Sequence, residues 1–312
     1  MISVLLPTFN GEKYLAELLE SLLSQTYQDF VVYIRDDNSS DNSYTIITEF
    51  AENNFGKIKA TRNEKNTGEA RFNYFDMMMT HKDDYVMLCD QDDVWLSDKI
   101  EKSIGKMKEL EGICGSSTPL LVYTDLMVVN EKLEVISSSY EKMANKYFYY
   151  NPLNIAVTMN NAAGCTILYN RALAELIRDL PEFFVMHDWW VYLIAVAFGY
   201  VGVIHRSTVM YRQHDNNESG AKRVLSLKYV RYVLTNLNKM TSMIRDSYRQ
   251  SGAFLKMYED LLDGEKAELF YSYASMTNLS RIEKLRTVFR YKTFMHGFAR
   301  KVAQVFILVF KS

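Results

Sequence analysis

The sequence predicts an α/β fold: a mostly parallel sheet flanked by helices, followed by a C-terminal helical extension. Three observations predict it. Over residues 1–125, short apolar runs alternate with segments whose apolar positions recur at three- and four-residue steps. The links between them are short, and a β-α-β-α order with short links implies parallel strands joined by right-handed crossovers. After residue 220 the strand patterns stop, and basic stretches of helical period take over.

The elements follow in order. "ISVLLP" is a first strand closed by Pro7. "GEKYLAELLESLLSQ" places Tyr14, Leu15, Leu18, Leu19, Leu22 and Leu23 on one face, hence a helix. "DFVVYIRDD" is the second strand, and "SSDNSYTIITEFAENN" a second helix with Ser39, Ser40 or Asp41 near its start. "KIKATRN" makes a third strand, "TGEARFNYFDMMMT" a third helix and "DYVMLCD" a fourth strand. Residues 120–215 are mixed: "PLLVYTDLMVVNE" and "GCTILYNR" read as strands and "RALAELIRDL" as a helix. "HDWWVYLIAVAFG" reads as a helix opened by Asp188, and "YVGVIHRSTVMYRQH" as a pair of strands.

Bulk properties narrow the function classes. The chain has 312 residues, 22 Tyr, 17 Phe and only 4 Pro, which argues against a disordered or Pro-rich linker protein. Cys89, Cys114 and Cys165 are widely spaced, so neither a disulfide framework nor a zinc site is suggested. No secretory leader is visible, and no run approaches the roughly 20 apolar residues that span a bilayer. Charge is unevenly placed. Residues 221–312 hold 17 Lys+Arg against 7 Asp+Glu, while residues 1–220 hold 19 against 31. An acidic front is thus joined to a basic tail, and basic tails meet nucleic acid or anionic lipid.

Ligands of parallel α/β sheets bind at the carboxyl ends of the strands. Three polar clusters fall at those ends: "PTFNGE", "RDDNSSD" and "CDQDDVW". The last packs Asp90, Asp92 and Asp93 into four residues. Carboxylates that close raise one another's pKa unless a cation or donor groups offset them. Hard divalent cations prefer such oxygens and keep positions open for phosphate. The local sequence leaves a metal site and a solvated turn both open. Asp36 and Asp37 are ordinary turn chemistry or acceptors for a nucleoside, and Pro7, Thr8 and Asn10 share that ambiguity. No glycine-rich phosphate loop is present.

Taken together the motifs acquire a family likeness. "SVLLPTFNGEKYLAELLESLLSQTYQDFVVYIRDDNSSDNS", "NTGEARFNY" and "YVMLCDQDDVW" resemble family 2 glycosyltransferases in order and spacing. With "GCTILYNR", "HDWW" and "YRQH", the chain looks most like the bacterial rhamnosyltransferases of surface-polysaccharide assembly. The likeness covers about residues 1–215 and implies a Rossmann-like, GT-A type fold and an inverting single displacement. It implies that Pro7, Thr8, Asn10, Asp36, Asp37, Arg71, Asn73, Asp90, Gln91, Asp92 and Arg212 hold the donor nucleotide. Asp92, Asp93 and His214 are its implied ligands for Mn²⁺ or Mg²⁺. The extra acid of the triplet leaves open which of Asp92 and Asp93 touches the metal. Asp188 is the implied general base, with His187 as fallback. Gly164, Cys165, Thr166, His187, Trp189 and Trp190 are expected on the acceptor side, and the polar loop Asp215–Gly220 is expected to close over the donor.

The expected organisation is a catalytic domain over 1–220, with a nucleotide-sugar half (1–125) and an acceptor half (126–220), then a basic amphipathic helical tail over 221–312. In the tail Leu227, Val230, Leu234, Leu237, Met240 and Ile244 form one stripe, and Phe294, Phe298, Val302, Phe306 and Val309 another. Such stripes either pack on the catalytic domain or a second subunit, or lie in a lipid surface with Lys and Arg on the headgroups. The second is favoured, because a lipid-linked glycan acceptor makes it useful. The expected partners are a nucleotide-sugar donor, a glycan acceptor and the cytoplasmic face of a membrane. Nucleic acid is not expected, since no recognition motif is present and the acidic front repels phosphate. The expected donor is dTDP-L-rhamnose, the rivals being a UDP-hexose and a non-catalytic nucleotide-sugar-binding protein.

Overall fold

The computed structural model describes residues 1–145, 152–214 and 235–310. The chain divides into two compact units that do not follow chain order. Among the described residues, the first unit comprises 1–140, 162–180 and 199–214. The second comprises 141–145, 152–161, 181–198 and 235–310.

One sheet organises the first unit. Its strands are β1 (Ile2–Thr8), β2 (Phe30–Asp36), β3 (Ile58–Arg62), β4 (Tyr85–Leu88), β5 (Val94–Trp95), β6 (Leu120–Val129), β7 (Val135–Ser137), β8 (Ile167–Asn170) and β9 (Tyr200–Arg212). The order is β3-β2-β1-β4-β8-β6-β9-β5, with β7 beside β6. β1 to β4 are mutually parallel, and β6 runs parallel to β9. β8 enters antiparallel between β4 and β6, and β5 lies antiparallel on β9. All seven residues of β1 are buried, as a strand covered on both faces requires.

The helices of this unit are α1 (Leu15–Leu23), α2 (Ser43–Asn53), α3 (Ala70–Thr80) and α4 (Lys99–Cys114). Leu15, Leu18, Leu19 and Leu22 of α1 are fully buried, which is the helical stripe read from sequence. Burying each contributes about 1.5–3 kcal/mol. α2 begins at Ser43, whose N–H donates to Asp41 Oδ1 at 3.0 Å, so Asp41 is the acid that serves its first turn.

Several expectations are corrected. "YVGVIHRSTVMYRQH" is a single strand, β9, and not a pair; its register on β6 shifts near Thr124 and Asp125 but the pairing continues. "GCTILYNR" opens with a 3₁₀ turn, Gly164–Thr166, before β8 starts at Ile167. "RALAELIRDL" keeps only one helical turn, Arg171–Ala174, held by the Asn170 side chain accepting from Leu173 N. β5 and α4 were not foreseen.

In the second unit, helices α5 (His187–Phe198), α6 (Leu237–Tyr258), α7 (Gly264–Ala274), α8 (Arg281–Tyr291) and α9 (Phe298–Phe310) supply the core. Trp190 meets Phe254 at 5.2 Å between ring centroids, and Phe254 stacks on Phe270 at 4.5 Å. α8 starts with a capping box in which Ser280 and Glu283 exchange hydrogen bonds. The expected stripe at Leu227, Val230 and Leu234 and the loop Asp215–Gly220 lie outside the described residues. None of the described helices is long and apolar enough to cross a membrane.

Candidate active site

The loops after β1, β2 and β4 are laced together by side chains, which builds the rim. Phe9 N donates to Gln91 Oε1 at 2.9 Å, and Gln91 Nε2 donates back to Phe9 O at 3.0 Å. Asn10 N donates to Ser39 Oγ, Ser40 N to Asn10 Oδ1, and Gly11 N to Ser43 Oγ, each at 2.8–2.9 Å. Asn10 takes a left-handed φ of 48°, a conformation that Asn tolerates better than most residues. A Cβ on Gly11 would stand 2.5 Å from Gln91 Oε1, so the close approach of the two loops needs glycine there.

On this rim the two β2 acids turn inward. Asp36 is fully buried, accepting from Ser39 N at 3.0 Å and pairing with Arg62 Nε at 3.1 Å. Asp37 accepts from Asn63 Nδ2 at 2.6 Å, Thr67 Oγ1 at 2.6 Å and Thr67 N at 3.1 Å. The Asp37 carboxylate thus holds the 63–67 loop. Thr8 is buried, with Oγ1 3.5 Å from Arg35 O, and Pro7 is buried within β1. Asn73 is buried with Nδ2 3.4 Å from Arg35 O, and Arg71 pairs with Glu69 at 3.0 Å.

The three aspartates after β4 have three different settings. Asp90 Oδ1 accepts from Tyr74 Oη at 2.6 Å, and burial first, then Asp90, holds that phenol well above its ordinary pKa. Asp92 Oδ2 meets His214 Nε2 at 2.7 Å, with both side chains partly exposed. His214 stacks on Tyr14 at 5.2 Å. Asp93 is fully buried; Oδ1 accepts from Arg212 N at 3.2 Å, while Oδ2 has no hydrogen-bond partner among the described residues. Burial first, then Asp92 and Asp90, raises its carboxyl pKa well above the usual range. One oxygen each of Asp90 and Asp93 and the Cys165 Sγ lie within 4.8 Å of one another.

Several predicted roles shift accordingly. Arg212 was expected on a phosphate, but it is buried and committed: Nε donates to Asp92 O at 2.8 Å, Nη1 to Glu131 O at 2.6 Å, and Nη2 pairs with Glu17. Its guanidinium lies 4.5 Å over the Tyr14 ring. It braces the loop of Asp92. Gly164, Cys165 and Thr166 were expected on an acceptor surface, yet all are buried, and Cys165 lies beside the aspartates.

Asp188 and its neighbours belong to the second unit. Asp188 Oδ1 accepts from Trp189 N at 2.6 Å in the first turn of α5, the end that favours a carboxylate. Trp190 is fully buried against Phe254 and Tyr258, so it anchors a core and offers no face to a sugar. Trp189 is buried too, its Nε1 donating to Ala156 O at 2.8 Å. His187 is buried, and burial lowers its pKa to about 3, which makes the fallback base a poor one near neutrality.

Lys99, the first residue of α4, went unnoticed in the sequence. It is fully buried, its Nζ lies 4.5 Å over the Trp95 ring, and no hydrogen bond reaches it among the described residues. Burial lowers its pKa to about 8, against the opposing pull of Cys165, Cys89, Asp93 and Asp90. One sequence signal was available: a cation in the first turn of a helix opposes the macrodipole and calls for nearby anions.

The comparisons with known proteins agree with this architecture. The family model described as "Glycosyl transferase family 2" matches residues 3–177. The dTDP-rhamnosyl transferase RfbG of Shigella flexneri is 27% identical over 238 residues, covering 72% of this chain and 76% of its own. An uncharacterized glycosyltransferase, alr2836, of a Nostoc species is 33% identical over 224 residues, 69% of this chain and 66% of its own. Among solved structures, S. aureus TarS 1-349 in complex with UDP-GlcNAc aligns with a TM-score of 0.56 at 16% identity, over 97% of this chain and 90% of its own. The mannosyltransferase PcManGT of Pyrobaculum calidifontis, in complex with GDP-Man and Mn²⁺, gives 0.51 at 15% identity, over 100% and 87%. At these identities the likeness to solved structures concerns the fold.

Proposed function

Because this chain belongs to glycosyl transferase family 2, we propose that it moves L-rhamnose from dTDP-L-rhamnose to a growing, lipid-linked bacterial surface glycan with inversion. The observation that carries the reading is the Asp92–His214 pair at 2.7 Å, on the rim where three strand-end loops interlock. The rhamnose assignment draws on the sequence motifs and on the name of the Shigella relative. A UDP-hexose donor is the competing reading, because an E. coli relative is named a UDP-Glc glucosyltransferase; it is 29% identical over 34% of this chain and 41% of its own.

The residues divide the work. In the proposed displacement the acceptor hydroxyl oxygen attacks the anomeric carbon, the bond from that carbon to the diphosphate oxygen breaks, and its electron pair leaves with the diphosphate. The hydroxyl proton goes to the Asp188 carboxylate. When bound, a divalent cation supplies charge neutralisation at the departing diphosphate. The donors fit such a cation: Asp92 is reachable and shares its place with an imidazole nitrogen, whereas Asp93 is sealed from solvent. Asp92 and His214 would therefore hold it, with Asp90 beside them for the ribose. A mixed nitrogen–oxygen set suits Mn²⁺ better than Mg²⁺, which keeps to oxygen. Gln91 and Asn10 hold the loops that frame the nucleotide.

The same reading places the protein on the cytoplasmic face of a membrane. α9 turns Phe298, Val302, Phe306 and Phe310 outward, with Phe298 81% exposed, and buries Ile307 and Leu308 on its other face. Arg281, Arg286, Arg290, Lys292 and Lys301 are exposed as well, as are Ile282 and Phe289. Apolar rings flanked by cations suit an anionic lipid surface.

Donor hydrolysis is the test. The wild-type chain with Mn²⁺ is expected to release dTDP from dTDP-rhamnose, and Asp92→Ala and Asp188→Ala to lose at least 100-fold of that rate. Variants that match wild type would remove the catalytic assignment, and faster release from UDP-glucose would favour the competing donor.

A further inference from the structure

Tyr74 lies in the second turn of α3, where its ring is buried and its hydroxyl reaches the end of β4. Oη stands 2.6 Å from Cys89 O and 2.6 Å from Asp90 Oδ1. The Cys89 peptide is fixed on its other side, since its N–H donates to Leu5 O of β1 at 3.0 Å. The phenol is thus anchored to backbone that the sheet itself holds. Its neighbour Asn73 reaches the end of β2, with Nδ2 3.4 Å from Arg35 O. Two adjacent residues of α3 therefore tie the ends of β2 and β4 together. Asp90 is only half-buried, and an aspartate so placed has several staggered rotamers open to it. The Tyr74 hydroxyl selects among them, because turning the carboxylate away gives up a short hydrogen bond to a charged acceptor.

We propose that Tyr74 is a positioning residue for the donor nucleotide: its hydroxyl fixes the Asp90 carboxylate in the orientation that accepts a hydrogen bond from a hydroxyl of the nucleoside sugar. The inference rests on the proposed role of Asp90 as the ribose contact. In dTDP the hydroxyl concerned is the 3′-OH. A carboxylate already held in place binds that group without the cost of ordering it. A site built to pair with a hydroxyl also rejects an analogue that lacks it, so the effect of Tyr74 shows as selectivity and not as a general loss of binding. A tyrosine that only fills the core would weaken every nucleotide alike.

Calorimetry on the full chain with Mn²⁺ tests this, by comparing dTDP with 2′,3′-dideoxythymidine diphosphate, which differs from it only by that hydroxyl. Wild type should bind dTDP about tenfold tighter than the dideoxy nucleotide. In Tyr74→Phe, which keeps the ring, the preference should fall to about twofold or less, with the dideoxy nucleotide bound as in wild type. Asp90→Ala should lose the preference as well, and adding Tyr74→Phe to it should change the preference no further. An undiminished preference in Tyr74→Phe, an equal weakening of both nucleotides, or a preference retained in Asp90→Ala overturns the proposal. Should Tyr74→Phe fail to fold, Tyr74→4-aminophenylalanine decides. It keeps the size of the side chain with a weaker donor, so the preference should fall several-fold, and an unchanged preference overturns the proposal. Failure of the underlying role shows already in wild type. Equal binding of the two nucleotides there removes the ribose role of Asp90 and the proposal with it, and binding of neither removes the donor site itself.

Discussion

Asp92 reaches the rim and meets His214 at 2.7 Å, while Asp93, one residue on, is sealed against Arg212 N. Asp92 lies in the turn before β5, where its side chain stays partly exposed, whereas that of Asp93 is buried. The consequence is separable. Asp92→Ala should abolish Mn²⁺-dependent donor hydrolysis with a Tm close to wild type, whereas Asp93→Ala should cost about 1–3 kcal/mol of stability by stranding a buried N–H. Urea denaturation of both variants checks this. His187 makes a pH prediction. Its folded pKa is lowered from 6.5 to about 3 by burial. Above about pH 6.5 it is neutral in both states; below that the unfolded chain takes up a proton that the folded chain refuses until about pH 3. Its contribution to stability is thus present above pH 6.5 and lost as pH falls towards 3, at about 1.4 kcal/mol per pH unit. His187→Leu should flatten the acid limb of a Tm–pH profile over that window.

At the scale of elements, the sheet carries the site because β1, β2 and β4 end together and their loops hydrogen-bond to each other. One structural joint is exacting. Gly199 precedes β9, and a Cβ there would run into the carbonyl of Pro119, which accepts from Tyr200 N at 3.1 Å. The obstacle is backbone and cannot rotate away, so Gly199→Ala should destabilise by about 1–3 kcal/mol, measured by denaturant unfolding. Elements β1, β2 and β4 were legible as short apolar runs, and α1 as a helical stripe of leucines. β5 was not, since a two-residue strand has no period to show. α4 was not, because Lys99 occupies a buried position that patterning reads as surface. β9 was split in two because "HRST" is polar, yet its backbone pairing with β6 continues beyond the register shift. For the site, the acids of the rim were readable as a cluster. The commitments of Arg212 to Glu17 and Glu131, and of Asp37 to Asn63 and Thr67, depend on partners distant in sequence and left no local signal.

Over the whole molecule, charge is segregated: residues 221–312 hold 17 Lys+Arg and 7 Asp+Glu, against 19 and 31 in residues 1–220. The proposed membrane surface on α8 and α9 and the proposed donor site on the acidic rim use different residues, so the membrane reading can be tested apart from catalysis. In flotation with anionic vesicles, replacing Phe298 and Phe310 by Ser should reduce the bound fraction several-fold and leave donor hydrolysis in solution unchanged. Equal flotation of variant and wild type would remove the membrane surface from the account. The central claim, a metal-assisted nucleotide-sugar site on the rim, is tested most directly by thermal shift of the full chain with dTDP-rhamnose and UDP-glucose, with and without Mn²⁺. The account predicts the largest rise in Tm with dTDP-rhamnose plus Mn²⁺, and its loss in Asp92→Ala. No rise with any nucleotide-sugar, or the same rise without Mn²⁺ and in Asp92→Ala, would contradict it.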